Sequence, residues 1–182
     1  MAKLPHQQLL WQPWFNVIHP SAIVSPLATI GQGVSIGPYT IIEGSVTIGD
    51  RAVIAAQVHI YSNTTIGNDV QIFDGAIVGS NPQDLSYLNE TTYLTIGDRS
   101  IIREYCTINR ATAEGNATTI GNDVLLMAYT HIGHDSILHD HVVVANGVQL
   151  GGHVELGFAS VIGGMTAIQQ FCRIGAMSFV GG

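Results

Sequence analysis

Every sixth residue from Ile18 to Val180 is aliphatic, with three exceptions among 28 positions: Asp84, Glu90 and Glu114. A chain that is 46% hydrophobic would fill about 13 of those positions by chance, so the register is a fold signal of the repeat type. A second column lies two residues upstream and is small or β-branched. It opens with Ala22, Ala28, Val34, Thr40 and Val46 and closes with Val154, Ser160, Thr166, Cys172 and Ser178. Residues two apart on a strand share a face, so both columns should point inward. Glycine often follows the aliphatic residue, as at Gly31, Gly37, Gly133, Gly151 and Gly175. A chain turning from one face to the next is expected to need a residue without Cβ there. Three hexads would close one triangular coil, which predicts an all-β, left-handed parallel β-helix, a hexapeptide-repeat solenoid. The hand belongs to the hexapeptide architecture; the period alone does not supply it.

The exceptions to the ladder predict two external loops, at about 79–95 and 109–118, and long loops on a rigid scaffold commonly carry function. Residues 18–182 form the predicted β-helix domain. Residues 1–17 are an N-terminal extension whose Trp11, Trp14 and Phe15 could cap one end. The ladder stops in phase at Val180-Gly181-Gly182 without a capping segment. A solenoid needs a cap, so the chain reads as truncated.

Composition narrows the classes. The 182 residues suit one domain, and the net charge is −7 with only six Lys and Arg. Without a basic cluster to neutralise phosphates in series, nucleic-acid binding is not expected. No signal-peptide pattern and no transmembrane run is legible, so a cytoplasmic location is the default expectation. Cys106 and Cys172 stand far apart at inward addresses and read as apolar filler, not as a disulfide or a zinc ribbon.

Of eight histidines, five fall within 131–153: His131, His134, His139, His141 and His153. None has an inward address. Positions one coil apart should stack at roughly 4.8 Å, which puts His134 under Gly152 and Gly152 under Gln170. Beside them, Asp135 lies under His153 and His153 under Phe171. One outward patch then gathers two imidazoles, a carboxylate, an amide and an open backbone N–H. That grouping suits acyl transfer, with a histidine base, a carboxylate to orient it and a glycine N–H for an oxyanion. A metal reading competes. His134 and His139 have a spacing also used by hexapeptide-repeat carbonic anhydrases, but no third zinc ligand is evident.

The segment LLMAYTHIGHDSILHDHVVVANGVQLGGHVELGFASVIGGMTAIQQFCRIGA, with NPQDLSY, IGDRSIIREYCTINRAT and HPSAIV, resembles the acyl-carrier-protein-dependent UDP-N-acetylglucosamine O-acyltransferases of lipid A biosynthesis. The resemblance covers residues 18–182 nearly continuously. It implies a homotrimer with sites between neighbouring β-helices, in the cytoplasm of a Gram-negative-type bacterium. It also implies transfer of a 3-hydroxyacyl group from acyl carrier protein to the sugar 3-hydroxyl, the first step of that pathway. The donor would be a phosphopantetheine thioester, with no metal or other cofactor. His134 would be the general base, Asp135 its support and Gly152 N–H the oxyanion donor. His131, His153 and Gln170 would contact sugar or acyl chain, and Gln83 and Asp84 the sugar nucleotide. This chain departs from the family pattern at Ser86, where lysine is usual, and at Gln169, where histidine is usual. The family's C-terminal helical domain would be absent. Other readings stay open: a coenzyme-A-dependent acetyltransferase of the same fold, the zinc hydratase, or a non-enzymatic scaffold.

Overall fold

The computed structural model describes residues 17–182; the expected cap residues Trp11, Trp14 and Phe15 lie outside the described residues. Short strands, mostly two residues long, recur once per hexad and gather into three parallel sheets of eight. The first sheet holds Ile77–Ser80, Thr107–Asn109, His131–Ile132, Gln149–Leu150 and Ala167–Ile168. The second holds Thr64–Ile66, Tyr93–Ile96, Ala117–Ile120, Ile137–Leu138, Glu155–Leu156 and Arg173–Ile174. The third runs from Ser35–Ile36 to Phe179–Val180. Consecutive strands always lie in different sheets, and each pairs with the strand one coil away. The fold is a left-handed parallel β-helix of hexapeptide repeats.

Both inward columns are inside. Ile36, Ile60, Ile102, Leu126, Val144 and Ile162 are fully buried, alternating with Val58, Leu94, Val142 and Val154. Burying each large side chain contributes about 1.5–3 kcal/mol. Several hydroxyls in the small column are satisfied locally, as Thr40 Oγ1 donating to Ala55 O at 2.7 Å and Ser100 Oγ to Gly121 O at 2.8 Å, whereas those of Thr64 and Ser160 are buried without a partner among the described residues. Cys106 is buried among them, and burial pushes its thiol pKa up to about 11. Among the described residues no helix is long and apolar enough to cross a membrane.

The expected need for a residue without Cβ at the glycine position holds, and its cause is not φ. Left-handed backbone falls two residues beyond the glycine position, and mostly on other residues: Tyr39, Arg51, Asp69, Tyr105, Asp135, His153 and Phe171 all have φ between 56° and 65°. Glycine is needed for close approach between coils. A Cβ on Gly133 would lie 2.6 Å from the Gly151 carbonyl carbon, closer than any real Cβ approaches backbone.

The loops explain why the ladder keeps its phase. Stacked partners are 18 residues apart in regular coils, as Gln32 and Asp50 are, but 30 apart for Asn68 and Asp98 and 24 apart for Asp98 and Asn122. The insertions are therefore two hexads and one hexad, both whole repeats. The strands also reach into the segments read as loop, through Ser80 and from Tyr93, and through Asn109 and from Ala117. Ser80 pairs with Asn109 and Tyr93 with Ala117, which anchors both loop bases in the sheets.

Candidate active site

Both loops leave the coil at one corner, between the first and second sheets. The turn joining His131–Ile132 to Ile137–Leu138 brings His134 and Asp135 to this corner, and the next coil brings Gly152 and His153. Register follows the eighteen-residue stacking: His131 pairs with Gln149, and His153 N donates to His134 O at 2.8 Å.

The His134 ring is held from several directions. Its Nδ1 lies 2.9 Å from Asp135 Oδ2, and its Nε2 lies 3.6 Å from Asp84 Oδ2 of the first loop. Asp135 Oδ2 also accepts hydrogen bonds from Thr112 of the second loop, from the N–H at 3.0 Å and from the hydroxyl at 2.7 Å. The backbone N–H of Asp135 donates to Thr118 Oγ1 at 2.8 Å, which fixes its left-handed φ of 57°. The His153 ring stands edge-on to His134, with centroids 5.2 Å apart, and stacks on Phe171 at 4.6 Å. The sequence placed these groups on an outward patch, yet His134 is only 4% exposed. The loops and the coil above enclose it, and the ring fills the space that a side chain on Gly152 would occupy.

Gly152 leaves an open backbone group. At the corner between the second and third sheets, the N–H groups of Asp50, Asn68, Asp98 and Asn122 each donate to an Asx side chain one coil on. No Asx stands one coil on from Gly152, and among the described residues its N–H has no acceptor although the residue is buried.

Electrostatics follow from these contacts. Burial pushes the Asp135 carboxyl upward, but hydrogen bonds from His134 and Thr112 outweigh it and hold the pKa below the ordinary value. Asp84 is lowered chiefly by the Ser86 hydroxyl and N–H, bonded at 2.7 and 2.8 Å, with a smaller contribution from His134. His131 is lowered, first by burial and then by its neighbour His134; its Nδ1 meets Thr107 Oγ1 at 2.8 Å.

The structure thus brings together Asp84, His134, Asp135, Gly152 and His153, with His131 beside them. Gln83 and Gln170 are exposed, and neither makes a side-chain hydrogen bond among the described residues. Sequence reasoning missed Thr112 and Thr118. Thr118 was read as core, and Thr112 lies in a loop where the hexad ruler gives no address. Within one chain His139 sits at the neighbouring corner from His134, bonded to Glu155 Oε1 at 3.1 Å. His134, Asp135 and His153 do present possible ligand atoms within 4.8 Å of one another. The 2.9 Å Nδ1–Oδ2 contact uses two of those atoms in a hydrogen bond.

The pattern of the bacterial transferase hexapeptide (six repeats) matches residues 27–62 and 117–152. The acyl-[acyl-carrier-protein]–UDP-N-acetylglucosamine O-acyltransferase of a Janthinobacterium species is 51% identical over 162 residues, covering 88% of this chain and 62% of that protein. The solved structure of LpxA from Acinetobacter baumannii aligns with a TM-score of 0.89 at 45% identity, over 91% of this chain and 64% of that one. The solved LpxA of Bacteroides fragilis, a UDP-N-acetylglucosamine acyltransferase, aligns at 37% identity and a TM-score of 0.78 over 87% of this chain and 67% of that one. The chain belongs to the UDP-N-acetylglucosamine O-acyltransferase family. It spans about 62–65% of the length of the curated family members it matches.

Proposed function

We propose that the full-length protein transfers a 3-hydroxyacyl group from acyl carrier protein to the 3-hydroxyl of UDP-N-acetylglucosamine, the first step of lipid A biosynthesis. The observation that carries this reading is the enclosed His134 ring, bonded to Asp135 through Nδ1 and directed past Asp84 through Nε2. With Nδ1–H donated to the carboxylate, Nε2 carries the lone pair.

In the proposed reaction, Nε2 takes the proton of the sugar hydroxyl as its oxygen attacks the thioester carbonyl carbon. The Asp135 carboxylate stabilises the imidazolium that forms. The Gly152 N–H, free of an acceptor, donates to the oxyanion of the tetrahedral intermediate. Collapse breaks the C–S bond, and His134 returns the proton to the departing thiolate. The products are the O-acylated sugar nucleotide and the carrier protein with a free thiol, with no acyl-enzyme. His131, His153, Gln170, Gln83 and Asp84 are assigned to substrate contacts. The working protein is proposed to be a cytoplasmic homotrimer that needs no metal or organic cofactor of its own.

Purified full-length protein given 3-hydroxyacyl carrier protein and UDP-N-acetylglucosamine should form a product heavier by one acyl group. His134→Ala should abolish it while the protein stays folded. Turnover with acetyl-coenzyme A in place of the carrier protein would point to the acetyltransferase reading. Stoichiometric zinc on His134, Asp135 and His153 would favour hydration chemistry.

A further inference from the structure

The second loop looks at first like a one-hexad surface insertion, yet it touches Asp135 at one edge of the His134 ring and the loop that carries Asp84 at the other. At one edge, Thr112 gives Asp135 Oδ2 two hydrogen bonds, from its N–H and its hydroxyl. Toward the other edge, the same loop grips the first loop, which carries Asp84. Glu114 accepts a hydrogen bond from Thr91 N at 2.7 Å, and Arg110 reaches Asn81 Oδ1 at 2.5 Å and Tyr87 OH at 3.2 Å. Asn109 adds bonds to Ser80 Oγ and Asn81 O, both at 2.9 Å.

We propose that Thr112 is a positioning residue, which sets the orientation and tautomer of His134 by fixing Asp135 within a second loop that also holds the Asp84 loop in place. Thr112 does not touch the reacting atoms. Two donors from Thr112 pin Asp135 Oδ2 where it also meets His134 Nδ1 at 2.9 Å. Without the hydroxyl, Oδ2 is held by the Thr112 N–H alone, and the bond that commits the His134 proton to Nδ1 weakens. The groups facing the ring are Asp135, Asp84, His153 and His131. The other nitrogen near Asp135 Oδ2, His153 Nε2, stands 3.8 Å away, beyond hydrogen-bond distance, and does not replace the hydroxyl.

This inference rests on His134 being the base, and the test separates the two. Thr112→Val keeps the β-branched shape and the backbone N–H bond, and Thr112→Ser restores the hydroxyl. In full-length protein labelled with 15N-histidine, long-range proton–nitrogen correlations report the His134 tautomer without reference to activity. Wild type should carry Nδ1–H with a bare Nε2. Thr112→Val should show a mixture and lose about tenfold in kcat with KM within about twofold; a hydrogen bond to a charged group is worth about that factor. Thr112→Ser should return tautomer and kcat to within about threefold of wild type. An unchanged tautomer and kcat in Thr112→Val overturns the proposal, as does a loss that Thr112→Ser fails to rescue. A shifted tautomer with unchanged turnover overturns the base assignment instead.

Discussion

Gly152→Ala isolates the site from the scaffold. The φ of Gly152 is not positive, so alanine meets no backbone strain there. All three of the nearest atoms to an added Cβ belong to the His134 ring; Nε2 is 2.5 Å away, Nδ1 2.9 Å, and Cε1 nearer than either. Ordinary contact begins at 3.4 Å, so the ring must recede by about 1 Å. It cannot do so without stretching the 2.9 Å bond to Asp135. A misplacement of about 1 Å in a catalytic group costs on the order of 100-fold in rate. Loss of a hydrogen bond to a charged partner adds to that, at about 1.5–3 kcal/mol. The expected result is a fall in kcat/KM of at least about 100-fold, with a Tm within a few degrees of wild type. Gly133→Ala is the comparison, because its Cβ would strike the Gly151 backbone at 2.6 Å. That variant should lose Tm sharply through forced separation of two coils. Steady-state kinetics and thermal unfolding of both variants decide the matter. A Gly152→Ala protein with more than a third of wild-type activity would refute the reasoning, because the ring position would then not matter to the chemistry.

Three further outcomes follow from the same contacts. Leu126→Ala empties a fully buried site in the solenoid and should destabilise by about 2–5 kcal/mol in denaturant titrations. Stability should fall on acidification in two steps, followed by urea unfolding at a series of pH values. His131 has a lowered folded pKa, so its contribution is complete above the unfolded value of about 6.5 and is lost as pH falls through the folded value. Asp135, also lowered, contributes above about 3.9 and loses that contribution at still lower pH; stability flat from pH 7 to 3 would contradict both assignments. Cys106, buried with its pKa near 11, should resist thiol reagents at pH 8 until the protein unfolds, whereas rapid labelling of the native protein would show an open interior.

Much of the fold was legible because hexad spacing maps directly onto inside and outside. Ile102 and Cys106 could be assigned to the core from position alone, and the pairing of His131 with Gln149 follows from coil length. The same ruler placed His134 beneath Gly152 and Asp135 beneath His153. It could not show that His134 is enclosed, because part of the enclosure comes from Asp84, in a loop where hexad spacing gives a side chain no address. For the glycines, a period reveals that Gly133 must lack a Cβ, but not whether the constraint is φ or the approach of the next coil.

The account stands most directly on the chemistry of His134. Full-length wild type and His134→Ala should be compared for acyl transfer from 3-hydroxyacyl carrier protein to UDP-N-acetylglucosamine, with the product weighed by mass spectrometry and folding checked in parallel. The account predicts one acyl group on the sugar nucleotide with wild type, and at least a 1,000-fold loss, on the order seen when a catalytic base is removed, with a folded His134→Ala protein. Transfer at a wild-type rate by His134→Ala, or no transfer by wild type, would contradict it.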